Sequence, residues 1–121
     1  MKLDKNFWNK KKVLITGHTG FKGGWLSVIL NLLGSKVSGY ALNPVGKNNF
    51  FKHAKVKNVI ENDIRHDISD RNYLVKKIKQ LQPEVVVHLA AQSSVIESFK
   101  NPRNTVMTNT IGTYNLLEAI K

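Results

Sequence analysis

The chain has no cysteine, only three prolines, and eight acidic residues against nineteen basic ones in 121 positions. Without cysteine there is no disulfide framework and no thiolate metal site. That usage fits a reducing cytoplasm, the compartment expected for this chain. No apolar run approaches the roughly 20 residues that a membrane-spanning helix needs, so no membrane partner is expected. Met1 to Lys12 is polar and lysine-rich and lacks the apolar centre of a secretory signal. The histidines, His18, His53, His66 and His88, are too dispersed for a metal set, and none has an adjacent nucleophile to activate.

The shortage of acid leaves a formal charge of +11, which raises the question of nucleic acid. Lys10 to Lys12, Lys47, Lys52, Lys55, Lys57, Lys76, Lys77 and Lys79 are scattered over predicted loops and solvent faces. They lack the aromatic platforms on which bases stack. Solubilising charge is the better reading, and no nucleic-acid partner is expected. Hydrophobic residues make up 41% of the chain, enough for the core of one globular domain spanning residues 1–121.

What is present is concentrated early. Lys12 to Thr16 is a β-branched and aliphatic run, the pattern of a strand buried on both faces. Gly17, Gly20 and Gly23 follow, and Leu26, Ile29, Leu30 and Leu33 then recur at i, i+3, i+4 and i+7, one face of a helix. Strand, glycine turn and helix in that order place a helix N-terminus at the carboxyl edge of a sheet. Its free N–H groups and dipole suit a pyrophosphate. Gly17 permits the tight turn, Gly20 lets backbone approach phosphate, and Gly23 lets the helix lie close to the strand. A glycine turn with no ligand is the competing reading.

Further along, Lys36 to Leu42 reads as a second strand and Asn58 to Glu61 as a short third one. A helix through Leu81 is capped by Ser69 or Asp70, and Glu84 to Leu89 is a fourth, continuously apolar strand. A last helix opens at Asn101-Pro102 and runs to Lys121. Within it Gly112 costs on the order of 1 kcal/mol relative to Ala unless close packing requires it. These elements predict an α/β fold, the first half of a Rossmann-type doubly wound parallel sheet with strand order 3-2-1-4. Dinucleotide folds usually carry Asp or Glu at the end of strand two, for the adenosine ribose. Here that place holds Asn43, which can bond a hydroxyl but does not repel a 2′-phosphate, so the residues leave NAD and NADP both open. The small residues Ala90 and Ala91 at the end of strand four let a cofactor lie flat across the switch point.

The G-x-x-G-x-x-G spacing resembles the short-chain dehydrogenase/reductase superfamily, in particular its extended branch of sugar-nucleotide enzymes. Phe7-Trp8, Lys12 to Gly23, Trp25-Leu26 and Gly39-Tyr40-Ala41-Leu42 resemble the opening of the CDP-glucose 4,6-dehydratase family. The resemblance covers essentially the whole chain. It implies NAD as cofactor, with Gly17, Thr19, Gly20, Phe21, Lys22, Gly23, Asn43, Leu89, Ala90 and Ala91 around it. It also implies that Asp63 accepts from the adenine amine while Ile64 packs on the ring; helix capping is the alternative for Asp63. His88-Leu89-Ala90-Ala91-Gln92-Ser93-Ser94 is similar to a segment that turns its polar residues toward the sugar nucleotide. Gln92, Ser93 and Ser94 are thus substrate candidates, with CDP-glucose as the expected substrate. Ser93 stands where CDP-glucose enzymes more often have Pro, a departure resembling the GDP-mannose branch.

The resemblance places the catalytic Tyr-x-x-x-Lys pair on a helix after strand five, beyond Lys121. The chain is therefore expected to be the incomplete, N-terminal cofactor half of a homo-oligomeric lyase, inactive alone. A non-catalytic dinucleotide-binding module is the rival. Tyr73 to Lys77 satisfies the catalytic spacing but falls on the helix before strand four, so no catalytic residue is expected in this chain.

Overall fold

Val13 and Ile15 face one side of the first strand and Leu14 the other, because side chains alternate along a strand. All three are buried, so this strand, β1 (Lys12–Thr16), lies between two apolar layers. The computed structural model describes residues 4–121; the first residues of the polar N-terminal stretch lie outside them. A short helix α1 (Lys5–Trp8), capped by Asp4, precedes β1. The chain then runs through α2 (Phe21–Leu32), β2 (Lys36–Ala41), α3 (Phe50–His53) and a 3₁₀ turn (Val56–Asn58) to β3 (Asn62–Arg65). After these come α4 (Arg71–Leu81), β4 (Val85–His88), α5 (Val95–Lys100), α6 (Pro102–Val106), a π turn (Met107–Ile111) and α7 (Gly112–Ile120).

The four strands are all parallel, in the order β3-β2-β1-β4. This is the predicted Rossmann-type order. Right-handed crossovers account for the layers: moving outward from β1 to β3 puts α2 and α3 on one face, and the jump back to β4 puts α4 on the other, where α7, after β4, packs beside it. Val13, Ile15, Leu30, Val37, Phe51, Val56 and Ile60 form the first core. Leu14, Tyr40, Ile68, Leu74, Ile78 and Leu116 form the second. Each such side chain contributes about 1.5–3 kcal/mol when fully buried.

Three local outcomes differ from the sequence pattern. The third strand begins at Asn62, four residues later than Asn58, because Val56 and Ile60 are used as core plugs beneath α3 and β2. On α2 the buried row is Gly23, Ser27 and Leu30, while Ile29 is 42% exposed. The small residues let the helix approach β1, and the Ser27 hydroxyl donates to the Gly23 carbonyl at 2.7 Å. The last helix is preceded by α5 and is interrupted by a wider turn, in which the Gly112 N–H reaches back to the Met107 carbonyl. Gly112 itself is required by packing: a Cβ there would lie 2.5 Å from Ile68 Cγ2.

Candidate functional site

A cleft of about 580 Å³ opens along the carboxyl edge of the strands. Its floor is the turn between β1 and α2. Gly17 has φ +77°, and a Cβ on it would lie 2.7 Å from the backbone of Leu89 and Ala90. Gly23 abuts the Gly17 carbonyl so closely that no side chain fits between them. Gly20 is different. It caps α2 at an ordinary φ of −78° with no side chain on the free N–H groups. A Cβ there would meet only the Gly17 carbonyl, at 3.4 Å. The space above Gly20 is open to the cleft, at a helix N-terminus that favours anions.

Gly17, Thr19, Gly20, Phe21, Asn43, Leu89, Ala90, Ala91 and Ser93 all line this cleft. The structure thus brings together most of the residues singled out from the sequence. Lys22 and Gly23 do not line it; Lys22 points to solvent and Gly23 lies under the helix. Gln92 and Ser94 are occupied by the loop. The Gln92 backbone N–H donates to Asn109 Oδ1 at 2.8 Å, and its side chain spans Ser94 and Thr105. The Ser94 hydroxyl caps α5 through the Glu97 N–H.

Asp63 and Ile64 are placed away from the cleft as well. They are consecutive residues of a regular strand, so their side chains point to opposite faces of the sheet and cannot frame one ring. Ile64 packs on the core under α4 and edges a separate hollow of about 380 Å³ at the amino end of the strands. Asp63 points the other way, to His18 and Arg65. The second Asp-Ile pair in the sequence, Asp67-Ile68, lines the cleft, together with His66 and Tyr40. The Tyr40 hydroxyl donates to the Asp67 carbonyl at 3.0 Å. Burial, then the nearby Asp70, Tyr73 and Asp67, push that phenol far above its ordinary value, so it stays a donor. Asp67 Oδ1 accepts from the Ser69 N–H at 2.8 Å. The only sequence signal for this pair was its repetition of Asp-Ile four positions on. Phe50 and the loop residues Val45, Asn48 and Asn49 complete the wall, with Trp25 stacked on Phe50 at 4.6 Å.

A family model described as GDP-mannose 4,6 dehydratase matches residues 14–121. The chain belongs to this family. It is 44% identical over 98% of its length to a CDP-glucose 4,6-dehydratase of Salmonella typhimurium, of which it covers 33%. It is 35% identical over 93% of its length to a GDP-mannose 4,6-dehydratase of Vibrio cholerae, covering 32% of that protein. Among solved structures, the UDP-glucose 4-epimerase of Thermus thermophilus in complex with NAD aligns with a TM-score of 0.76 and 31% identity. That alignment covers 88% of this chain and 32% of the epimerase. The NAD complex of the Brucella ovis UDP-glucose 4-epimerase gives a TM-score of 0.75 and 28% identity, over 90% and 31% of the two chains. The chain spans about a third of the length of the curated relatives it matches.

Two hydrogen-bonded networks hold the cleft in this GDP-mannose 4,6 dehydratase family member. In the first, Thr16 Oγ1 accepts from the N–H groups of Leu89 (3.1 Å) and Ala90 (3.2 Å), so its own proton goes to His88 Nδ1 at 2.6 Å. That leaves the His88 proton on Nε2, where it is donated to Thr113 Oγ1 at 2.9 Å; Thr113 in turn donates to the Asn109 carbonyl. Burial holds His88 below the ordinary histidine range, in keeping with a neutral ring. Every side-chain proton in this relay has one acceptor, and together these bonds fix the Leu89–Ala91 wall.

In the second network Arg65 grips both oxygens of Asp63, at 2.6 and 2.9 Å, and Asp63 Oδ1 also takes the His18 Nε2 proton at 2.8 Å. Burial alone would raise the Asp63 carboxyl, but the hydrogen bonds from Arg65 and His18 outweigh it and hold it below the usual carboxylate value. Tyr73 packs against the core under α4 and is stacked on His66 at 3.8 Å, with the Lys77 ammonium 5.3 Å from its ring centroid. Neither lines the cleft. Among the described residues no group of three His, Cys, Asp or Glu could hold a metal, and no helix is long and apolar enough to cross a membrane.

Proposed function

We propose that residues 1–121 are the NAD-holding portion of a sugar-nucleotide 4,6-dehydratase acting on CDP-glucose. The observation that carries the cofactor reading is the bare Gly20 α-carbon, which faces an open cleft at the N-terminus of α2. Pyrophosphate would lie over Gly17–Phe21, held by backbone N–H groups. The adenosine ribose would reach Asn43, and the adenine the Asp67–Ile68 wall rather than Asp63–Ile64. The nicotinamide end would lie along Leu89, Ala90 and Ala91, with Ser93 on the substrate side. When bound, NAD supplies the hydride acceptor for oxidation of the sugar. CDP-glucose is favoured over GDP-mannose because the match at 44% identity exceeds that at 35%.

The Tyr–Lys pair expected to do acid–base work is not at this cleft among the described residues. The chain would therefore bind cofactor without producing a keto-sugar. The exposed apolar side chains Val95, Ile96 and Phe99 on α5 and Leu117 on α7 support a homo-oligomeric full-length enzyme. Calorimetric titration of the chain with NAD tests the reading. Saturable binding that Gly20→Val abolishes supports it, and binding unchanged by Gly20→Val removes its basis.

A further inference from the structure

His18 sits inside the glycine loop, yet its side chain is fully buried. It turns under the loop and not into the cleft, because β2 offers Gly39 at the point where its ring lies. A Cβ on Gly39 would collide with the imidazole. The Phe51 ring of α3 closes the other side edge-on, with centroids 5.6 Å apart. The charged groups acting on His18 are Asp63 and Arg65, both from β3; Gly39 and Phe51 do not titrate.

Three further contacts make this more than a packed ring. The Arg65 guanidinium lies over the Phe51 ring at 4.6 Å and donates to the Leu42 carbonyl at 3.3 Å. The hydroxyl of Thr19, next in sequence to His18, donates to the same carbonyl at 3.1 Å. Leu42 is the first residue past β2 and adjoins Asn43. The chain His18–Asp63–Arg65–Leu42–Thr19 is thus a closed ring of contacts, tying the glycine loop to the ends of β2 and β3. Because Asp63 is an acceptor, the His18 proton is on Nε2, and Nδ1 is left buried with no partner. Burial holds His18 below the ordinary histidine range. A proton added at Nδ1 would have only the Tyr40 carbonyl to turn to, which already accepts from the Gly17 N–H of the loop, and would face Arg65 across the carboxylate.

We propose that His18 is a positioning residue for the dinucleotide, setting the glycine loop through Asp63 and Arg65, and that the loop loosens when His18 is protonated. The dinucleotide part rests on the NAD reading above; the loop part does not. His18→Gln supplies a side-chain N–H to Asp63 but cannot titrate, whereas His18→Leu removes the donor. For the chain and both variants, hydrogen-exchange protection of the Gly17 and Gly20 amides would be measured alongside NAD affinity, at about pH 7.5 and about pH 5, either side of the ordinary histidine value. Both amides donate within the loop frame, to Tyr40 and Gly17 carbonyls.

The expected result is a fall in protection and affinity for the natural chain at the lower pH. His18→Gln should be near natural at the higher pH and should fall much less than the natural chain at the lower one, His88 still being free to charge. His18→Leu should be weaker at both by roughly tenfold, the scale on which supporting residues act behind a binding site. Natural protection and affinity in His18→Leu would overturn the proposal. So would a His18→Gln variant with the same pH response as the natural chain. If His18→Leu does not fold, the natural chain against His18→Gln decides. If nothing binds NAD, the cofactor reading fails, and the exchange data alone support or overturn the clamp.

Discussion

Gly112 of α7 and Ile68 of the cleft wall are in contact so close that a Cβ on Gly112 would lie 2.5 Å from Ile68 Cγ2. Ile68 is 4% exposed and belongs to the core under α4, so it has nowhere to retreat. Asn115, one turn on, donates to the carbonyls of Ile68 and Ser69. The helix after β4 therefore shapes the wall after β3. Gly112→Ala would gain about 1 kcal/mol in helix propensity but overpack a closed site, which costs about 1–3 kcal/mol. A net loss of stability in urea unfolding is expected, and a gain would show that Ile68 can yield.

The Thr16 relay makes a graded prediction. Thr16→Val leaves His88 Nδ1 and the Ala90 N–H without partners, while the Leu89 N–H keeps the Thr16 carbonyl. The expected loss is about 1–3 kcal/mol, from two half-buried groups left unsatisfied. Thr113→Val strands only the His88 Nε2 proton and should cost about half as much. Equal losses in denaturant titrations would contradict the proton assignment in the relay.

Acid should act in two stages. His18 and His88 are both held by burial below their ordinary 6.5. The unfolded chain therefore takes up protons first, and stability falls as pH drops below 6.5. Asp63, at an ordinary 3.8, is lowered in the folded chain by Arg65 and His18. Its contribution is present above that value and lost as pH falls through the lowered one. Asp70, bonded by His66, and Glu84, bonded by the Lys12 N–H, shift in the same direction. Urea midpoints should decline from about pH 7 to about pH 5 and again below about pH 4. A flat first stage would mean that the two histidines charge freely in the fold.

Much of the frame was legible because it is set locally. A buried strand, a turn that needs Gly17, and Asp70 capping α4 are each decided by a few neighbouring residues, and the strand order follows from crossover handedness. The slip at β3 had a long-range cause. Val59-Ile60 reads as strand, but Val56 and Ile60 are taken by the core under α3. That slip of four residues set the expected adenine wall at Asp63-Ile64, whereas it is Asp67-Ile68 that line the cleft. The burial of His18 under the loop has a long-range cause too, since only the pairing of β1 with β2 brings Gly39 beneath it. Gln92 and Ser94 have the chemistry of substrate contacts, and nothing local shows that Asn109, Thr105 and the start of α5 occupy them.

The account stands most directly on where NAD lies, and two-dimensional NMR of the chain titrated with NAD reads that position. The account predicts saturable shifts at the amides of Gly17, Gly20 and Phe21, at Asp67 and Ile68, and at Ala90 and Ala91. Lys36 and Lys77, around the hollow at the amino end of the strands, should stay unmoved. Shifts centred on that hollow, or an absence of shifts at Gly20 and Ile68 while NAD is bound, would contradict it.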